Sequence, residues 1–157
     1  FVLYCVKFIN QWHANYLRRG VDQITINGTS KTVVRHKQYV ENDELSNLIS
    51  ASLMSNEFPV SVENAEGVKQ TCTLLLTFDS SNKITVSTTT EGYTATGSGT
   101  FVPKGEKNSW GNKDRDVVYL NYNITSNSGV AYATKDTLVV QGRGVKIETF
   151  TPLYVSN

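Results

Sequence analysis

The chain has two histidines, His13 and His36, the only side chains whose ordinary titration falls near neutral pH. General-base or metal chemistry would need a partner beside one of them, and the sequence places none there. His13 follows Trp12 and precedes Tyr16 in a turn-like stretch, so a structural hydrogen bond is expected of it. His36 lies between Arg35 and Lys37, as on a wet strand face. Serine acyl transfer needs a histidine base and a G-x-S-x-G elbow, a frame that Gly97-Ser98-Gly99 lacks. Glycoside hydrolysis needs two carboxylates across a cleft, and Glu106, Asp114, Asp116 and Glu148 are available. Asp114 and Asp116, however, stand two apart at a strand edge among Lys113 and Arg115, which predicts ion pairing and turn hydrogen bonds. These residues predict no enzyme and imply no metal or cofactor.

The richest polar stretch is residues 105–115, and it has two readings. In one, Trp110 is a platform for a sugar ring while Asn108, Asn112, Asp114 and Arg115 hydrogen-bond its hydroxyls. In the other, Trp110 caps one end of a barrel and the polar residues tie a long loop to the body. Trp12 and Tyr16 complete the candidate ligand-binding set. Arg18 and Arg19 offer a bidentate site for a carboxylate or phosphate, or else pair internally with a strand-borne carboxylate such as Glu148.

These side chains must be held by strands. Residues 71–78 and 83–90, joined by Asp79-Ser80-Ser81-Asn82, form the clearest hairpin, with Ile84, Val86 and Thr88 on one face. Residues 32–40, 58–62, 93–102, 117–125, 137–140 and 145–150 share the alternating texture, and Pro59 suits a strand start or edge. In residues 93–102, Gly97 and Gly99 predict a bulge or sharp bend. Residues 41–54 alone offer a rival helix, with Leu45, Leu48, Ile49 and Leu53 at helical spacing and Asn42 or Asp43 as N-cap. About eight strands without intervening helices predict an all-β, antiparallel up-and-down barrel, with a two-layer sandwich as the alternative.

Whole-chain properties bound the function further. At 157 residues, 39% hydrophobic and 18% charged, the chain is one domain with a real core. A net charge of +1 and no dense Lys/Arg run argue against nucleic acid. The longest apolar run, residues 2–9, contains Lys7 and falls far short of the roughly 20 residues of a membrane helix, so no direct membrane insertion is expected. Cys5 and Cys72 read as two buried thiols or as one disulfide. The start at Phe1-Val2-Leu3-Tyr4, without Met, is expected to be a cut from a longer protein.

Three stretches resemble one family: Trp12-His13-Ala14-Asn15-Tyr16-Leu17-Arg18-Arg19-Gly20, residues 105–116 around Trp110, and residues 137–152 around Gln141-Gly142-Arg143-Gly144. That family is the Bacteroidetes domain of unknown function 4361, the C-terminal domain of exported lipoproteins. The resemblance implies a lipocalin-like barrel that follows another β-rich domain, number 1735, of the same protein. It further implies periplasmic or outer-membrane-surface placement, through a lipid on the absent N-terminal part, and association with glycan uptake. No catalytic residue or ligand is carried over. The expected function is a non-catalytic accessory domain that binds glycan, or a structural module docking on its upstream domain, or a lipocalin-like carrier.

Overall fold

Alternation of apolar and polar side chains produces nine strands among residues 8–144, the part of the chain that the computed structural model describes. They are β1 (Ala14–Ile26), β2 (Thr29–Arg35), β3 (Glu44–Ser52), β4 (Ser55–Glu63), β5 (Lys69–Phe78), β6 (Lys83–Thr88), β7 (Tyr93–Ser109), β8 (Lys113–Ser126) and β9 (Val130–Gly142). From β3 onward each strand pairs antiparallel with the next. β9 then returns along β1, from Ile26↔Val130 to Asn15↔Gly142, so that β1 and β3 to β9 close into an eight-stranded antiparallel barrel. The all-β barrel is therefore the architecture, and the sandwich is not.

The ninth strand breaks the regularity. β1 gives one edge to β9 and shares the other between two partners, residues 14–18 with β3 and residues 20–26 with β2. β2 and β3 thus act as one long strand interrupted by residues 36–43. β4 meets β3 only near their hairpin, from Ile49↔Glu57 to Ser52↔Ser55. Beyond that point β4 pairs with β5 alone, which leaves a cleft between β4 and β2. Pro59 lies in this one-sided stretch, the edge setting expected of a strand proline.

Several expectations are corrected. Residues 41–54 form no α-helix: a 3-10 turn at Val40–Asn42 leads into β3, because pairing with β1 satisfies its backbone and only alternate residues need an apolar environment. Leu48 is buried, while Leu45, Ile49 and Leu53, at helical spacing, stay exposed. Strand β2 ends at Arg35, so His36 stands in the following loop, exposed. Of the turn-like stretch from Trp12 to Tyr16, Trp12 lies in a turn with Gln11 and His13 follows it, while β1 begins at Ala14 and takes in Tyr16. Register runs unbroken past Gly97 and Gly99, where a Cβ on either would collide with β8; the irregularity comes later, between Val102 and Ser109. The strand expected at residues 145–150 and Cys5 lie outside the described residues, while Cys72 is a free, buried thiol.

One end of the barrel interior is closed by aromatic packing. Trp12 stacks on Phe78 with ring centroids 4.0 Å apart, and Phe58, Leu74, Leu76, Val86 and Phe101 fill the space beside them. Asn10 ties this end to the β3–β4 hairpin through the carbonyls of Ser52 and Ser55 and the Asn56 side chain, at 2.8–3.0 Å. Farther along, the inward positions turn polar.

Candidate functional site

In β1 the even-numbered residues face inward, and among them Arg18 and Asp22 replace the apolar side chains that alternation would supply. Asp136 and Thr134 occupy inward positions of β9, Tyr122 of β8 and Arg35 of β2. These six side chains form one network. Arg18 donates to Asp136 Oδ2 from Nε at 2.9 Å and to Tyr122 Oη from Nη2 at 3.0 Å, and Tyr122 donates on to Asp136 Oδ2 at 2.8 Å. Arg35 holds Asp22 by a bidentate pair, at 2.6 and 2.9 Å, and reaches Asp136 Oδ1 from Nη2 at 2.6 Å. Thr134 donates to Asp22 Oδ1 at 2.8 Å.

Two arginines and two aspartates balance in charge, as burial demands. Burial alone would raise the Asp22 carboxyl, yet hydrogen bonds from Arg35 and Thr134 and the charges of both arginines outweigh it and hold the group below the usual range. Burial also opposes the charge on Arg35, and Asp22 and Asp136 more than restore it. The Tyr122 phenol is driven far above its ordinary value by burial and then by Asp136, so it stays a donor.

Glycine makes the space. Gly20 pairs with Arg35 on one side and Asp136 on the other. A Cβ there would run into Asp136 Oδ1 and the main-chain oxygen of Lys135. Gly97 does the same for Tyr122, whose Cβ would lie 2.5 Å from an added methyl.

The network forms the floor of the cleft between β2 and β4, a space of about 280 Å³. Its apolar walls are Ile24, Val33, Val60, Val62 and Ile124. At its mouth Lys31 spans the gap to Glu63 at 3.1 Å, Tyr132 Oη accepts the Glu63 N–H at 2.7 Å, and Lys69 stands exposed. Glu44, half exposed at the start of β3, faces Nη1 of Arg18 at 3.7 Å and Nη1 of Arg35 at 3.9 Å, beyond hydrogen-bond reach of both.

The residues singled out by sequence are placed elsewhere. Trp110 is half-buried in a 3-10 turn, Trp110–Asn112, between β7 and β8, and its Nε1 donates to the Val140 carbonyl at 3.2 Å. The Arg115 guanidinium lies 3.6 Å from the centre of the indole and donates to the Trp110 carbonyl, so one face of the ring is covered from within the loop. Asp114 accepts from Lys107 at 3.0 Å and from the Asn108 N–H at 3.1 Å, Lys107 foremost in holding its carboxyl below the usual range. Asn108 and Asn112 take left-handed backbone, with φ of 50° and 54°. Trp12 and Tyr16 are in the core, where the Tyr16 hydroxyl donates to the Trp12 carbonyl at 2.8 Å. His13 Nδ1 accepts the Ser50 N–H at 3.0 Å. Arg18 and Arg19 pair internally, with Asp136 and Asp43; Glu148, the partner suggested by sequence, lies outside the described residues.

Asp22, Thr134, Asp136 and Tyr122 escape a motif search, since the chain spreads them over three strands. The signal that finds them is parity: polar and charged residues at inward positions of a strand whose flanking inward residues are hydrophobic, as in Tyr132-x-Thr134-x-Asp136-x-Leu138.

The chain belongs to the family described as a domain of unknown function (DUF5627), whose model matches residues 11–144 and so includes all nine strands. Among solved structures it is similar to a structural-genomics protein of unknown function from Bacteroides ovatus, with 43% identity and a TM-score of 0.88 over 92% of this chain. This chain spans 46% of that one, about half its length. No curated protein matches. Neither comparison links the chain to domain of unknown function 4361 or to a lipoprotein.

Proposed function

We propose that the domain is a non-catalytic binding module whose cleft between β2 and β4 receives a small polar ligand, a single sugar unit being the kind of group that suits it. The observation that carries this reading is a charged, hydrogen-bonded floor lying open at the bottom of a cleft with apolar walls, the combination found in small-ligand sites. At about 280 Å³ the cleft is near the small end of such sites, suited to one ring rather than a chain. Its buried carboxylates are committed to guanidinium partners, which suits recognition better than acid–base turnover. In this reading the module is an accessory part of an exported bacterial surface lipoprotein concerned with glycan uptake. Support for the accessory role comes from the Bacteroides ovatus relative, which is about twice as long. A purely structural module docking on its neighbouring domain is the competing reading, favoured by the internal pairing of the four charges of the floor.

Calorimetry against a panel of monosaccharides tests the proposal. Val33→Trp, which fills the cleft from the half-buried face of β2, is expected to abolish binding, while Trp110→Ala leaves it intact. Binding lost in Trp110→Ala and kept in Val33→Trp would move the site to the β7–β8 loop.

A further inference from the structure

The donors that the network leaves unspent indicate what the cleft recognises, given that it binds a small ligand at all. Asp22 and Asp136 engage Nε and Nη2 of both arginines, directly or through Tyr122, and among the described residues neither Nη1 group has a hydrogen bond. Nη1 of Arg35 is fully buried and has no partner within hydrogen-bond distance. A guanidinium N–H in that position forgoes a charge-assisted bond unless an acceptor arrives. Among the described residues the Tyr132 hydroxyl accepts from the Glu63 N–H and donates to none, and the Lys69 ammonium at the rim pairs with no carboxylate.

Glu44 marks what is missing. Its carboxylate faces the two Nη1 groups at 3.7 and 3.9 Å, which is attraction without a bond, and its side chain is 52% exposed. A carboxylate brought by a ligand from the cleft side would reach hydrogen-bond distance where Glu44 does not, and Glu44 would swing out to solvent at little cost. We infer that the cleft takes a small carboxylate-bearing ligand, its carboxylate set between Nη1 of Arg18 and Nη1 of Arg35 and the rest of it against Ile24, Val60 and Val62. Glu44 is then a resident competitor that weakens binding of anions and leaves neutral ligands alone. The carboxylate belongs to an acidic sugar or to a simple organic acid, and the two are separable by experiment.

The test is calorimetric titration of the whole chain with glucuronate, glucose and propionate, using wild type and Glu44→Gln. The wild type is expected to prefer glucuronate to glucose by about ten-fold, the difference between charged and neutral hydrogen bonds. Glu44→Gln, a half-exposed site whose change leaves the floor intact, is expected to tighten glucuronate by about two- to five-fold and to leave glucose unchanged. Lys69→Ala is expected to weaken glucuronate in both backgrounds. Propionate binding as tightly as glucuronate supports the carboxylate and assigns it to a simple acid; weak propionate with tight glucuronate assigns it to an acidic sugar. Equal affinity for glucose and glucuronate, with no effect of Glu44→Gln, overturns the inference and leaves the binding module standing. No heat with any of the three, nor with the monosaccharide panel, overturns both.

Discussion

Asp136 is the residue on which the buried network turns, and its removal has a calculable cost. Its side chain is fully buried and accepts from Arg18, Arg35 and Tyr122 at 2.6–2.9 Å. Asp136→Ala strands Arg18, only 7% exposed, and strips Arg35 of one of its two aspartates. Breaking a buried pair by removing one partner costs about 3–5 kcal/mol, because the remaining charge stays desolvated. The cleft admits water to this floor, which sets the expectation at the lower end, about 3 kcal/mol. For a domain of this size that is a fall in Tm of about 6–12 °C. Urea denaturation with a shared m-value and differential scanning calorimetry measure it. The double variant Arg18→Met, Asp136→Leu removes both charges and is expected to recover most of the loss, giving a coupling energy of about 2 kcal/mol in the cycle. A loss under about 0.5 kcal/mol for Asp136→Ala, the range of an ordinary surface change, or strict additivity in the cycle, would refute the claim that these charges are buried and interdependent.

Two further outcomes follow from the same floor. Gly20→Ala is expected to destabilise by about 1–3 kcal/mol by overpacking against Asp136 and the Lys135 main chain, whereas Gly142→Ala, with open space around it, leaves the chemical-denaturation midpoint in place. The lowered Asp22 carboxyl stabilises the fold fully above the unfolded Asp value of about 3.9, and this contribution disappears as pH falls from there through the folded-state value; Asp22→Asn is expected to flatten the acid limb of stability against pH over that window.

How much of this is legible in the chain depends on the range of the interaction. The hairpin of β5 and β6 announces itself through Asp79-Ser80-Ser81-Asn82, where Asp79 Oδ1 accepts the N–H of Ser81 and of Lys83, a local device that local sequence encodes. Barrel closure is less visible, since it depends on β1 meeting β9 more than a hundred residues away, and β1 hides its alternation by carrying Arg18, Gly20 and Asp22 at inward positions. Residues 41–54 mislead for a related reason: Leu45, Ile49 and Leu53 repeat at helical spacing, but β1 supplies a ladder that a solitary helix would have to replace with packing. The aromatic and polar loop around Trp110 draws notice because its residues are adjacent in sequence, and the structure spends them on one another. The cleft draws none, because Arg18, Arg35 and Asp136 come together only through register.

The cleft and the network also explain each other physically. Residues 36–43 interrupt the strand formed by β2 and β3, and β4 loses its ladder on that side beyond Glu57. On its other edge β2 is held to the body by its backbone ladder with β1, from Gly20↔Arg35 to Ile26↔Thr29. The Arg35 fork adds a side-chain hold at the end of that ladder, tying β2 to β1 through Asp22 and to β9 through Asp136. Across the mouth the only ion pair among the described residues is Lys31–Glu63, an exposed contact worth about 0–1 kcal/mol. The floor is thus fixed strongly and the far wall weakly. A ligand that parts Lys31 from Glu63 gives up little, and it arrives at guanidinium groups that are already oriented, so its affinity is not spent on ordering the site.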